Sequence, residues 1–275
     1  MKRHPFSLHE NRRFKKLIEL LQRENIVECK DCKFGKRLHL KGIHVVFELL
    51  KTSLLLHTGI YNLSENEDFL GLIIRGKVVN LNLPTDEKVL KIVYNLVGNL
   101  DIPLETRSEE LFNSFLGVLL ASYMCLDLIY PNTYIRELGR NTHELDLFGA
   151  VITSNEKVKY MLLETTIGSI KRTVEGELFY DRDSHNWHFK KAIMKKWAIE
   201  KIFNVKIKLF YLTVYPLQSV QEDKFVRKIM ETDNSVKVIN FPILYYHDKP
   251  TINAAISDNE IIESILHPII DSMKS

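Results

Sequence analysis

The stretch ELDLFGAVITSNEKVKYMLLETT, residues 144–166, decides the fold. The polar turn Ser154-Asn-Glu-Lys157 divides it into two apolar runs, which predicts a hairpin of strands over 144–153 and 158–167. Period 2 along a strand puts Glu144 and Asp146 on one face of the first, and Glu164 and Thr166 on one face of the second. Their neighbours are apolar on both faces (Leu145, Leu147 and Phe148; Tyr160 to Leu163), so these strands are covered on both sides and the carboxylates are partly desolvated. Buried charge costs several kcal/mol unless it is neutralised, and two carboxylates on adjacent strands push each other's pKa upward. A hard divalent cation relieves both penalties. Mg²⁺ prefers oxygen ligands and takes only one or two carboxylates, so Asp146 and Glu164 are candidate ligands for Mg²⁺ or Mn²⁺. Such a metal can acidify a water and stabilise a phosphate under in-line attack. The competing reading puts these acids at strand ends, in solvent or paired with Arg140, Lys171 or Lys190.

Upstream of this hairpin, Thr106 with Glu109 makes a capping-box signature for a long helix over 107–128 that Pro131 would end, followed by a strand over 133–139. Downstream, a loop runs past Asp183, and Ser184 can cap a helix over 185–203. A strand over 205–215, a helix over 222–231, a strand over 236–246 and a last helix from Asn259, disturbed by Pro268, complete the pattern. Nearer the start, residues 11–25 read as a basic amphipathic helix, residues 41–59 as a helix or two strands, and residues 85–99 as a helix. A connection at 98–103 suggests two units, a smaller N-terminal α+β domain over 1–100 and an α/β domain over 101–275.

Asn141-Thr-His-Glu-Leu-Asp146, the polar turn, and Tyr160-Met-Leu-Leu-Glu-Thr-Thr166 together resemble the PD-(D/E)XK, or restriction-endonuclease-like, nuclease superfamily. The resemblance covers about residues 105–246. It implies a core of helix, three strands, helix and strand, with a mixed sheet flanked by helices. It also implies a metal site made by a first-helix acid (Glu110 or Glu109), Asp146 and Glu164. The lysine of the family's Glu-x-Lys is Thr166 here, and a hydroxyl cannot supply that point charge. A lysine from the following helix (Lys190, Lys191, Lys195, Lys196) or Lys171 is the replacement to look for, with Lys190 and Lys191 first because they enter the helix near the expected strand ends. The activity implied is hydrolysis of phosphodiester bonds by a divalent-metal-dependent endonuclease, on DNA in preference to RNA. The alternative is a catalytically silent nuclease-like module that binds nucleic acid or protein. A homodimer is left open.

Composition agrees with a folded protein whose charge is unevenly placed. Hydrophobic residues make up 45% and charged residues 27%, too apolar for disorder, and the net charge is only +3. Residues 1–45 carry twelve Lys/Arg against five acids, and residues 171–208 ten against five, which suits a partner rich in phosphate. No apolar run is long enough for a membrane span, the start lacks a signal core, and three cysteines make no disulfide framework, so a cytoplasmic protein is expected. Cys29 and Cys32 have half-zinc-site spacing, with His39 or His44 as a third ligand. His185 and His188 near Asp181 and Asp183 form a weaker metal candidate, and His143 could assist proton transfer. Phosphate-loop, nucleophile-elbow and dinucleotide signatures do not occur.

Overall fold

The computed structural model describes residues 8, 12–58, 72–74, 77–79, 104–138, 144–153, 155–166, 170–172, 178–180, 182–213, 224–240, 244–246, 249–251 and 257–274. Helix α1 (Arg12–Arg23) buries Phe14, Leu17, Ile18 and Leu21, spaced three and four apart, and leaves Lys15 and Lys16 in solvent. It leads into the hairpin β1 (Val27–Cys32) and β2 (Gly35–Leu40). The ambiguous run that follows is one helix, α2 (Ile43–Thr58), and the short strands β3 (Leu72–Ile74) and β4 (Lys77–Val79) pair antiparallel. The helix expected over 85–99 and the connection at 98–103 lie outside the described residues.

Helix α3 (Leu104–Ala121) is shorter than the 107–128 expectation at its far end. Leu126–Leu128 is a separate 3-10 turn, and Pro131 terminates nothing, because it lies inside strand β5 (Ile129–Tyr134) opposite Leu147. That strand is an edge of the sheet, where a proline can leave its missing N–H on the unpaired side. The strand expected over 133–139 is thus shifted, with Arg136–Leu138 in a 3-10 turn. Strands β6 (Glu144–Ile152) and β7 (Val158–Thr166) make the antiparallel hairpin that residues 144–166 predict. A small hairpin, β8 (Ile170–Arg172) with β9 (Leu178–Tyr180), replaces part of the expected loop. Helix α4 (Arg182–Phe203) then starts early enough to place Ser184 inside it rather than at its cap.

Strand β10 (Ile207–Thr213) runs parallel to β7, with α4 as the crossover that a parallel pair requires. After α5 (Lys224–Thr232), β11 (Val236–Asn240) adds in parallel, giving a five-stranded mixed sheet in the order β11-β10-β7-β6-β5. The single strand expected over 236–246 is divided, since β12 (Leu244–Tyr246) pairs instead with β13 (Lys249–Thr251). The closing segment comprises α6 (Asp258–Ile261), a π-helix (Ile262–Leu266) and α7 (His267–Lys274). Pro268 has no N–H for the turn behind it, and the backbone widens there.

The chain is therefore mixed α/β, with helices flanking the five-stranded sheet. Successive residues of β7 face opposite sides. Thr165 meets α3, while Glu164 meets α4, so the two helices cover opposite faces. One buried cluster runs from Phe14, Phe47 and Leu50 through Phe112, Leu163 and Phe210 to Met273, so the chain on both sides of residue 100 shares a core. Among the described residues no helix is long and apolar enough to cross a membrane.

Candidate functional site

The β6–β7 ladder ends at Leu147 opposite Leu163, and the acids begin one residue further on. Past that pair the strands separate around the Asp146 carboxylate, which accepts from the Thr165 amide at 2.6 Å and from the Thr165 hydroxyl at 3.0 Å. The same hydroxyl lies 3.1 Å from Asn113 Oδ1 and 3.4 Å from Glu109 Oε1, both on α3. A hydroxyl has one proton to give, so these three oxygens cannot all be bare acceptors, and a protonated Glu109 that donates to the hydroxyl removes one of the three. On the other side of β6, Asn132 takes a left-handed backbone (φ 48°), and its amide donates to the Glu110 carbonyl at 2.8 Å and to Ser114 Oγ at 3.1 Å. Its Oδ1 accepts from Asn113 at 3.1 Å, so β5 holds α3 in place beneath the acids.

On the opposite face, Lys195 of α4 is buried, donating to the Glu164 carboxylate and, at 2.7 Å, to the Glu144 carbonyl. Helical rise explains why this lysine arrives and its neighbours do not. Ile207, four residues past the end of α4, pairs with Tyr160, so Phe203 lies near the start of β7. Going back eight residues climbs about 12 Å, and a side chain leaning toward the helix N-terminus adds several more. Glu164, six residues along β7, is at a height of roughly 20 Å. Lys190 and Lys191 are a further turn up and exposed, with Lys190 Nζ 5.1 Å from the centre of the Phe225 ring. Lys196 is buried but serves another purpose, bonding Glu200 at 2.9 Å and Asp233 at 3.0 Å.

Glu109, Glu144, Asp146 and Glu164 thus form an acidic cluster running from buried Glu164 to exposed Glu144, and among the described residues Lys195 is the ammonium in contact with one of these carboxylates. Burial, then the Asp146 charge, raises the pKa of Glu164, against the pull of Lys195 and of a hydrogen bond from the Asp146 backbone. Burial, then Asp146 and Glu144, pushes Glu109 up to about 8. Glu144 is raised by burial, Glu110 and Asp146. Burial works to lower Lys195, but Glu164, Asp146 and Glu144 outweigh it and the net shift is upward. The Glu164 and Lys195 shifts pull against each other, since a lysine raised by Glu164 implies an ionised Glu164. Direct contact with an ammonium favours the ionised carboxylate, which leaves Glu109 as the group that keeps its proton at neutral pH. Glu164 Oε1 is buried and has no hydrogen-bond partner among the described residues. Asp146 and Glu164 are the carboxylates here that could hold a hard divalent cation.

The proton on Glu109 has a measurable consequence. Its folded pKa of about 8 lies above the ordinary 4.5, so the stability this group contributes is fully present below about pH 4.5 and is lost as pH rises through about 8. Metal-free protein should melt at a lower temperature at about pH 9 than at about pH 6, and Glu109→Gln should remove much of that difference. Identical pH dependence in the variant would show that Glu109 is not the buried acid.

The remaining expected residues are dispersed. Glu110 pairs with Arg13 of α1 at 2.7 Å and stays close enough to Glu144 to raise it, while Glu109 is the first-helix acid whose pKa Asp146 raises. Thr166 donates to the Tyr211 hydroxyl at 2.6 Å and contacts none of the acids in a described hydrogen bond. His143 and Asp181 lie outside the described residues, as does the side chain of His185. Cys125 lies past the end of α3, and its thiol donates to the Phe34 carbonyl at 3.3 Å, in the hairpin that carries Cys29 and Cys32. Burial raises the pKa of both Cys29 and Cys125. Among the described residues the group of three metal-ligating side chains with ligand atoms within 4.8 Å is elsewhere, at His44, Glu48 and Asp258. Lys51 already supplies positive charge there, 2.7 Å from Glu48 and 3.3 Å from Asp258.

Sequence reasoning missed Thr165, Asn113 and Asn132. Asn113 stands four residues after Glu109, on the same face of α3, which was the available signal. No protein-family model matches this chain, and no curated protein matches it either.

Proposed function

We propose that this chain is a divalent-metal-dependent nuclease that hydrolyses phosphodiester bonds in DNA, on a restriction-endonuclease-like core. The carrying observation is the buried Glu164 Oε1, without a hydrogen-bond partner among the described residues, beside Asp146 at the point where β6 and β7 part. The order α3, three antiparallel strands, α4 and a parallel strand is the one the PD-(D/E)XK resemblance implies. When bound by Asp146 and Glu164, Mg²⁺ or Mn²⁺ supplies positive charge to a scissile phosphate and acidity to an attacking water.

The chain's own groups do the rest. Thr165 fixes the Asp146 carboxylate through its amide and hydroxyl. Lys195 holds Glu164 ionised, and its ammonium is the point charge that Thr166 cannot provide, available to a phosphate oxygen as negative charge builds. Glu109 keeps a proton at the inner edge of the cluster. One contact favours the silent-module alternative, because Lys195 already neutralises part of the site without a metal.

Incubating supercoiled plasmid or branched DNA with the protein and Mn²⁺ separates the two readings. Cleavage that stops on chelation, and is missing from an Asp146→Ala preparation purified in parallel, supports the nuclease. No cleavage under Mg²⁺ or Mn²⁺ would leave the silent binding module.

A further inference from the structure

The face of α4 opposite the sheet is exposed, and both tryptophans of the chain, Trp187 and Trp197, stand on it with 63% and 50% of their surface open to solvent. Tryptophan is among the largest apolar side chains and is normally mostly covered, so exposing both on one helix face marks a contact surface. Met194, 61% exposed, lies between them. At about 100° per residue, Trp187, Lys190, Lys191, Met194, Trp197 and Lys201 fall within an arc of about 120°. All three lysines in this set are exposed. The acid of α4 between Trp187 and Phe203 is Glu200, which is engaged with Lys196 and the Ile207 amide. Beside Trp197 a cavity of about 400 Å³ is lined also by Lys201, Asn204, Lys206 and the engaged Glu200. At the other border of the arc, Lys191 is close enough to Glu144 to lower its pKa, so the face adjoins the carboxylate cluster.

We propose that this face binds single-stranded nucleic acid, with Trp187 and Trp197 stacking on bases and Lys190, Lys191 and Lys201 meeting phosphates. The inference rests on the nuclease reading for its direction, since it makes the substrate one with unpaired nucleotides next to the cleaved bond. Indole rings alternating with ammonium groups are the composition of a stacking platform on a phosphate track. A membrane-surface helix would instead gather its apolar residues in mid-face and put lysines at the flanks. Ten residues of helix separate the tryptophans by about 15 Å, the length of about four stacked nucleotides.

The two tryptophans are the only ones in the chain, so intrinsic emission reads this face alone. Full-length protein in chelator is titrated with single-stranded oligo-dT of about twelve nucleotides, following tryptophan emission and, in parallel, anisotropy of a labelled strand. Saturation should quench the emission strongly. Trp187→Ala and Trp197→Ala should each weaken binding by about fivefold or more, and Trp187→Phe and Trp197→Phe by less. A duplex of the same length should quench less. The proposal is overturned by a strand that binds without quenching, by no binding, by alanine variants of wild-type affinity, or by equal quenching from duplex. It is also overturned if emission answers only to phosphatidylserine vesicles, or only to self-association seen in sedimentation. Cleavage does not enter the measurement. Quenching by a protein that cuts nothing under Mn²⁺ keeps this face and loses the nuclease; cutting without quenching does the reverse.

Discussion

Lys195→Met should lower Mn²⁺-supported DNA cleavage by about a hundredfold or more, the effect of losing a transition-state donor worth ~3 kcal/mol. Lys195 is the lysine in contact with Glu164, and it also reaches the Glu144 carbonyl. Lys190→Met and Lys191→Met should leave kcat within a few-fold of wild type, and any effect should fall on KM, because both side chains are on the exposed face of α4. Removing Lys195 leaves Glu164 buried beside Asp146 without its counter-charge, a change that typically costs about 3–5 kcal/mol when the remaining charge cannot escape. Glu164 can escape by taking a proton. Its folded pKa, already above the ordinary value, should climb further, so the destabilisation is absent at low pH and develops as pH rises. Thermal unfolding across pH separates this from a lost catalytic charge. A Lys195→Met protein that is folded at the assay pH and cleaves within tenfold of wild type would sink the role given to Lys195.

Glu164→Gln should abolish measurable Mn²⁺ binding while the fold is retained. The amide keeps the shape of the side chain and loses the charge that holds a hard cation. It also removes a carboxylate whose pKa burial and Asp146 raise, so metal-free stability relative to wild type should improve as pH rises. Lys195 keeps the Glu144 carbonyl and the neighbouring Asp146 charge, which limits the cost of losing its partner. Calorimetry settles the assignment directly, since unchanged Mn²⁺ affinity in the variant would remove Glu164 from the ligand set.

These two variants bear on different parts of the sequence pattern. Asp146 and Glu164 were legible because carboxylates in strands apolar on both faces are costly, and the cost itself flags them. Lys195 was readable only in part. Phe189, Ala192, Ile193, Lys196 and Ile199 trace the buried stripe of α4, and Lys195 at its margin is also buried. Choosing it over Lys190 needed the height of α4 against β7, which depends on where Ile207 enters the sheet. The two first-helix acids posed the same kind of question. Glu109 and Glu110 are adjacent, so they point about 100° apart, and only the packing of α3 decides which meets Asp146 and which meets Arg13.

Periodicity alone determined the hairpin over residues 144–166, the crossover helix after it and the basic character of α1, because each is a local pattern of side chains that has one economical burial. It misjudged Pro131, since whether a proline ends a helix or lies harmlessly in a strand depends on that strand being an edge, a property of the whole sheet. Tertiary structure alone decided that Thr165 and Asn113 grip the Asp146 side of the site, that Lys195 reaches Glu164 through the other face, and that Glu164 Oε1 has no hydrogen-bond partner among the described residues. Those contacts join residues 19 to 52 positions apart, or 31 in the case of Lys195. Local patterns say which face of an element is buried; which residues of two buried faces then meet is set by register and helix height, and these exist only once the sheet is assembled.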